Sequence, residues 1–239
     1  MYNIYQNRYA NKLHLNIIRV KYSKEHTIVD RDFAIKLCDD YNNSANDLIT
    51  YKLYLYLGCL LSQKGLKDEI LTLDTKTFLK AIKTTKKVYI VSSLEYLKTI
   101  RFNYYYFKGK KTGYTKETRT CSIIDDFTCI KGSIMIKFNK NYLKLLGYSK
   151  LTLQIPNELF DININKYRHS LFMGFRILLH RQVNFNKKLK NIISVKEIVK
   201  YCPTLPSYDK LNKSKQVKKN ILDPFSNNMD YLNEILNIS

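Results

Sequence analysis

Residues 70–100 read ILTLDTKTFLKAIKTTKKVYIVSSLEYLKTI. Ile70-Leu71-Thr72-Leu73 is a short strand by its composition. Asp74 follows as a helix cap, with Phe78, Leu79 and Ile82 at helical spacing behind it. Thr84-Thr85 marks a tight turn. A further helix, roughly 86–100, then buries Ile90 or Val91, Leu94, Leu97 and Ile100. The stretch is therefore strand, helix, turn, helix. Upstream, residues 46–64 predict a helix in which Leu48, Ile49, Leu53, Tyr56, Leu57, Leu60 and Leu61 recur at helical spacing, and Gly65 stops it. Before that, Asp30 or Asp32 is expected to cap a helix burying Phe33, Ile35 or Leu37, and Cys38, broken by Asn42-Asn43-Ser44. The first 29 residues are weakly patterned and read as an arm, with some strand-like alternation over 14–20. Downstream, residues 101–107 are aromatic and extended. Lys108-Gly109-Lys110-Lys111-Thr112-Gly113 forms a basic turn, and strands are expected over 118–124 and 129–138. Helix, helix, strand, helix, turn, helix and basic hairpin is the order of a winged helix.

A linking helix over 139–146 leads into the second half. A strand over 151–155 is followed by a helical turn from Pro156. A strong helix over 165–182 carries Tyr167, Leu171, Phe172, Phe175, Leu178 and Leu179 on one stripe. Ser194-Val195-Lys196-Glu197 is a capping box, so a helix should start at Val195. Pro203 and Pro206 mark a turn, and a basic helix is expected over 210–222. The chain closes on an amphipathic segment with Phe225, Met229, Leu232, Ile235 and Leu236. The expected fold class is α+β, mostly helical: two tandem winged-helix units, the second with little or no wing. The expected boundaries are 1–29 for the arm, 30–138 for the first unit and 139–239 for the second.

The charge is concentrated. The 239 residues carry 41 basic and 20 acidic side chains, for a net charge of +21. Residues 80–120 hold eleven basic and two acidic side chains, and residues 181–220 hold the same numbers. The other 158 residues contribute only +3. AT-rich codon usage inflates lysine (33 Lys against 8 Arg), but it does not explain two basic windows separated by a near-neutral stretch. Such windows are footprints for a polyanion. On the first recognition-type helix, Lys86, Lys87, Tyr89, Ser92 and Ser93 lie off the apolar stripe and near its start, where base edges are met. Lys110 and Lys111 sit at the hairpin tip. On the second, Lys210, Lys213, Lys215, Lys218 and Lys219 supply charge for phosphates, and Ser207, Tyr208 and Asn212 supply hydrogen bonds for bases.

Catalytic signatures are missing from the sequence. His14, His26, His169 and His180 form no His-apolar-His pair, and no phosphate loop, G-x-S-x-G or HExxH motif occurs. Asp39-Asp40 and Asp125-Asp126 read as solvated loop acids. Tyr104-Tyr105-Tyr106 could offer a nucleophile but reads as a strand alternating between core and surface. The five cysteines (Cys38, Cys59, Cys121, Cys129 and Cys202) lack CxxC spacing, which argues against zinc and against a disulfide framework. Met1 to Tyr5 does not resemble a signal peptide. The longest apolar run, 53–61, is about half of what crosses a bilayer. The expectation is a reduced cytoplasmic protein, no enzyme, with no metal or other cofactor and no membrane partner.

Ile193-Ser194-Val195-Lys196-Glu197-Ile198, then Leu205-Pro206-Ser207-Tyr208, then Val217-Lys218-Lys219-Asn220-Ile221-Leu222-Asp223-Pro224-Phe225 resembles the second winged helix of plasmid replication initiators. The resemblance spans 45–235 in element order and 193–225 in residues. Pro224 should kink the helix that carries it. The resemblance implies a non-catalytic initiator that binds direct repeats of double-stranded DNA at a plasmid or phage-like origin. It implies further that such a protein helps open the origin, recruits host replication proteins and switches between a homodimer that represses its own promoter and a monomer that initiates. A tandem winged-helix transcription regulator shares every residue feature above, and a rolling-circle nicking enzyme is the catalytic rival.

Overall fold

The computed structural model describes residues 1–38, 45–66, 69–108, 115–148, 151–163, 165–186, 192–206 and 214–236. It is a mixed α+β chain that divides into two compact units, Ile4–Thr152 and Leu153–Ser239 with Met1–Asn3. The boundary falls at 152 rather than 138. Residues 4–29 belong to the first unit and are no separate arm.

Strand β1 (Tyr2–Tyr5) leads into α1 (Arg8–Asn16). Asn7 caps this helix through Oδ1, which accepts from the Tyr9 and Ala10 amides at 3.0 and 2.8 Å. Residues 14–20 are thus helix end and 3₁₀ turn, not a strand. Strands β2 (Thr27–Asp30) and β3 (Phe33–Leu37) stand where the sequence predicts a helix. Phe33, Ile35 and Leu37 are buried while Lys36 between them is exposed, and that period of two is a strand's. Asp30 and Asp32 cap nothing. Instead Lys12 reaches both carboxylates, at 3.2 and 3.0 Å, and Arg8 reaches Asp32 at 2.9 Å.

Helix α2 (Asp47–Lys64) is buried nearly all round, as a central helix must be. Asn46 caps its start, and Gly65 closes it in the left-handed region at φ +71°. Then come β4 (Ile70–Asp74), α3 (Thr75–Ala81), α4 (Lys87–Thr99), β5 (Ile100–Lys108), β6 (Thr115–Ser122), β7 (Ile124–Ile130), β8 (Ser133–Phe138) and α5 (Lys140–Gly147). Residues 129–138 are therefore not one strand. Gly132, at φ +77°, turns the chain between β7 and β8.

Strands β2 to β8 form two antiparallel sheets. One has the order β2-β3-β5-β6, the other β4-β8-β7. The hairpin with the basic tip, β5–β6, pairs with β3 through Ile35↔Phe102. It does not join β4, whose partner is β8, with Leu71 opposite Ile136. Leu71, Ile134, Ile136 and Phe138 form the buried face of the smaller sheet. A buried polar relay also crosses the first unit. The Tyr54 hydroxyl donates to His14 Nδ1 at 2.6 Å, and His14 Nε2 donates to the Tyr5 carbonyl at 3.2 Å.

The second unit contains most of β9 (Thr152–Ile155), then α6 (Asn157–Asp161), α7 (Ser170–Val183) and α8 (Val195–Lys200). It ends with α9 (Ser214–Val217), a π-helical turn Lys218–Leu222 and α10 (Asp223–Leu236). Helix α7 starts at Ser170, later than the apolar pattern suggests. Ser194 Oγ accepts from the Glu197 amide at 3.2 Å, which is the expected cap of α8. Gly174 lies where a Cβ would come within 2.7 Å of a Leu159 methyl and 3.0 Å of a Leu232 methyl, so any larger residue there would make those side chains of α6 and α10 shift. Among the described residues no hairpin follows β9.

Pro224 does not break its helix. The preceding turn widens instead, with the Asp223 amide bonded to the Lys218 carbonyl five residues back. A π turn accommodates the missing N–H and the ring's clash with the carbonyl four residues back.

Candidate nucleic-acid interface

Asp74 Oδ2 accepts from the Thr77 amide at 2.7 Å and fixes the start of α3. The turn to α4 passes through Lys83 at φ +55°. Lys86, Lys87 and Val88 stand exposed at the start of α4, with Val88 64% exposed. Tyr89 is half-buried, and the Lys86 ammonium lies 5.4 Å from its ring centre. The exposed lysines extend back through Lys83, Lys80 and Lys76, and Lys131 and Lys137 are exposed on the β7–β8 hairpin. None of these five was singled out from the sequence, although the clustering of lysine over 80–87 carried the signal for two of them.

Ser92 and Ser93 do not belong to this surface. Ser92 is 6% and Ser93 0% exposed. Ser93 shares a 2.8 Å hydrogen bond with Thr50 of α2, and the Ser92 hydroxyl turns back to the Tyr89 carbonyl at 3.3 Å. Helix α4 buries more than one stripe because it packs on α2 and on sheet residues at once, so only its first turn is open.

Lys110 and Lys111, at the β5–β6 tip, lie outside the described residues. So do Ser207, Tyr208, Lys210, Asn212 and Lys213. Lys215 falls within α9, and Lys218 and Lys219 are exposed on the π turn. Ile221 is fully buried beneath them, whereas Val217 is only half-buried. Ile221 is therefore the residue that anchors this segment to the core.

Among the described side chains, the thiols and Tyr104 are chemically quiet. Burial pushes the Cys59, Cys121 and Cys202 thiols up to about 12. Tyr104 is 1% exposed, its hydroxyl donates to the Asn141 carbonyl at 3.4 Å, and burial raises its pKa. Asp125 accepts from Ser122 and Asn139, each at 2.8 Å. Asp126 pairs with Lys98 at 2.7 Å, which holds its carboxyl below the usual range. His169 Nδ1 meets Thr204 Oγ1 at 2.7 Å, and Thr204 in turn contacts Cys202 Sγ at 3.4 Å. That array looks like a nucleophile relay, yet burial sets His169 to about 4 and the thiol near 12, so neither partner is poised to exchange a proton at neutral pH. No described helix is long and apolar enough to cross a membrane.

No protein-family model, curated protein or solved structure matches this chain.

Proposed function

We propose that this protein binds double-stranded DNA without catalysing a reaction on it, as a plasmid-type replication initiator built on winged-helix units. The observation that carries the reading is the strand order β4-β8-β7, with α3 against β4 and α4 against β7. In a winged helix, the strand after the first helix pairs with the hairpin that follows the recognition helix. Here α2, β4, α3, α4 and β7–β8 supply those parts, with β5–β6 inserted as an extra hairpin on the other sheet. On this reading the wing is β7–β8, tipped by Lys131 and Gly132. Lys86 and Lys87 open the recognition helix, and Lys76, Lys80 and Lys83 line its approach.

Lysines of this kind bind phosphate and carry little base information. Tyr89 and the exposed Val88 are the α4 groups able to meet base edges, Val88 through a thymine methyl. In the second unit, Lys215, Lys218 and Lys219 would add phosphate contacts, with Ser207, Tyr208, Lys210, Asn212 and Lys213 as their sequence neighbours.

The test is duplex binding over a range of salt. Engagement of both basic windows predicts a log K against log salt slope of about −0.9 per phosphate, with at least about five phosphates. A slope near −1 or −2 leaves one window engaged and rejects the two-unit reading. Footprinting on the DNA flanking the gene separates initiator from regulator: an initiator protects an array of direct repeats, a regulator one or two operators. A covalent protein–DNA adduct formed with magnesium or manganese would overturn the non-catalytic reading.

A further inference from the structure

Sheet β2-β3-β5-β6 buries one face and leaves the other open. Phe33, Ile35, Phe102 and Tyr104 are buried on the inner side, whereas Val29, Lys36, Arg101, Asn103, Thr118 and Thr120 are exposed. On the open side, Val29, Ala34, Asn103 and Thr120 pair in one row across the four strands. Beside that row, at the β2–β3 turn, lies a groove of about 350 Å³ lined in part by Val29, Arg31, Asp32, Ala34, Asn103 and Thr118. Its volume falls within the range of small-molecule sites.

Arg31 is the unusual residue of this groove. It is the first of the two turn residues between Asp30 and Phe33, and it stands at φ +55°. Glycine takes such a position at least cost, so an arginine there is held against the preference of its backbone. Its side chain is exposed and forms no ion pair or hydrogen bond among the described residues. Strained residues cluster at ligand sites, and no contact within the described protein accounts for this one.

Asp32 brings a carboxylate to the same groove. Arg8 and Lys12 pair with it at 2.9 and 3.0 Å, and the Tyr9 hydroxyl donates to it at 3.2 Å, so its charge is already met. The charge left over is the Arg31 guanidinium, whose fork of donors suits a phosphate. Asn103 offers an amide donor and acceptor together, which matches an adenine edge, and Thr118 adds a hydroxyl. Val29 and Ala34 supply apolar surface for the flat face of a base. Lys36 and Arg101, opposite each other one row further on, extend the positive charge along the strands.

We propose that this groove binds a nucleotide, with the phosphate on Arg31 and the base against Asn103 and Thr118. The nucleotide is either free or one unit of a single strand. Only the strand source rests on the DNA-binding reading, and the groove shares no residue with the lysines of α3, α4 and β7–β8 that the reading uses.

The experiment titrates the full chain with deoxyadenosine monophosphate, holding ionic strength constant with chloride, and follows the backbone amides of Ala34, Asn103 and Thr118 by NMR. The signals should shift together and saturate. Deoxyadenosine and inorganic phosphate, each carrying one part of the ligand, should bind at least about ten-fold more weakly. Arg31→Gly removes the cation and the backbone strain together, so it should fold at least as stably as wild type. It should weaken the nucleotide about ten-fold or more. Asn103→Ala, at an exposed position, should weaken the nucleotide several-fold and leave inorganic phosphate unchanged. Absence of a saturable shift in wild type, equal affinity for inorganic phosphate, or unchanged nucleotide affinity in either folded variant overturns the site.

A single-stranded arm then distinguishes the sources. A short oligodeoxyadenylate that competes with the mononucleotide, binds more tightly than it and weakens about ten-fold or more in Arg31→Gly identifies a strand. An oligodeoxyadenylate that does not compete identifies the free nucleotide. Failure of wild type to bind any duplex rejects the DNA reading and leaves the nucleotide result standing.

Discussion

Asn228 occupies a core position, 5% exposed, that an apolar residue of similar size could fill. Its Oδ1 accepts from the Ser170 hydroxyl at 2.8 Å and the His169 amide at 3.3 Å, and its Nδ2 donates to the Pro224 carbonyl at 2.7 Å. One side chain of α10 therefore serves as the cap of α7, whose own preceding residue, His169, makes no side-chain cap bond. Asn228→Leu should cost about 2 kcal/mol or more, because it strands buried donors at a helix start. Urea denaturation checks this, and a change under about 0.5 kcal/mol would show that α7 finds another cap. Ser93 and Lys87 make a contrasting pair on α4. Ser93→Ala leaves the Thr50 hydroxyl without its partner and should lower stability by about 1 kcal/mol while leaving DNA affinity of the folded protein unchanged. The double variant Lys86→Ala, Lys87→Ala should do the reverse. It should keep the melting temperature and make the salt slope shallower by roughly 1 to 2. Equal DNA losses in the serine and lysine variants would remove α4 from the interface. Sequence could not separate these residues. Serine is small enough to sit on either side of a helix, and its burial depends on Thr50, more than forty positions away.

At the scale of elements, legibility followed the strength of local chemistry. Asn46 and Gly65 bracket α2, Asp74 opens α3 and Ser194 opens α8, and each of these ends was readable because a cap is a short-range hydrogen bond. Segment 33–38 misled because Phe33, Ile35, Leu37 and Cys38 satisfy part of a helical stripe as well as a strand's alternation. What decides is pairing with β5, a partner sixty-odd residues downstream. The hairpin assignment failed for the same reason: two hairpins follow α4, and nothing local says which one β4 will join. The candidate site was legible as charge in two windows but not as geometry. The π turn is a further element that no periodicity announces, although Pro224 supplies its cause. Pro224→Ala removes the reason for the wide turn and lets Lys218–Leu222 return to α-helical register. One residue fewer in the bulge turns everything upstream by about 100° relative to Ile221 and α10. The variant should keep or raise helicity by circular dichroism while weakening duplex binding several-fold, since Lys218 and Lys219 then leave their present face. Unchanged affinity together with raised helicity would mean that these lysines do not touch DNA.

For the whole molecule, two buried histidines set the response to acid. His14 is fully buried and neutral, held between the Tyr54 hydroxyl and the Tyr5 carbonyl, and burial lowers it to about 4. His169, 7% exposed, is lowered to about 4 chiefly by burial, with Arg168 adding to the effect. An ordinary histidine titrates near 6.5. Between those values the unfolded chain binds protons that the native chain refuses, so stability falls as pH drops from about 6.5 toward about 4 and is fully present above that window. The His14 shift corresponds to roughly 3 kcal/mol across it, an appreciable part of the 5–15 kcal/mol typical of a folded domain, and His169 adds a loss of the same sign. Asp32 adds a later loss. Its Lys12 and Arg8 partners hold it below the usual carboxylate range, so its share disappears only at still lower pH. His14 belongs to the first unit and His169 to the second, so acid weakens both rather than releasing one from an intact other. Urea midpoints should therefore fall together between about pH 7 and about pH 5 for probes in each unit. His14→Gln keeps an acceptor for Tyr54 and a donor for Tyr5 but cannot titrate. It should flatten the acid dependence of the first unit alone and leave that of the second intact. A His14→Gln protein whose first unit still loses stability as steeply as wild type over this window would show that another group, not the Tyr54–His14–Tyr5 relay, carries the acid sensitivity.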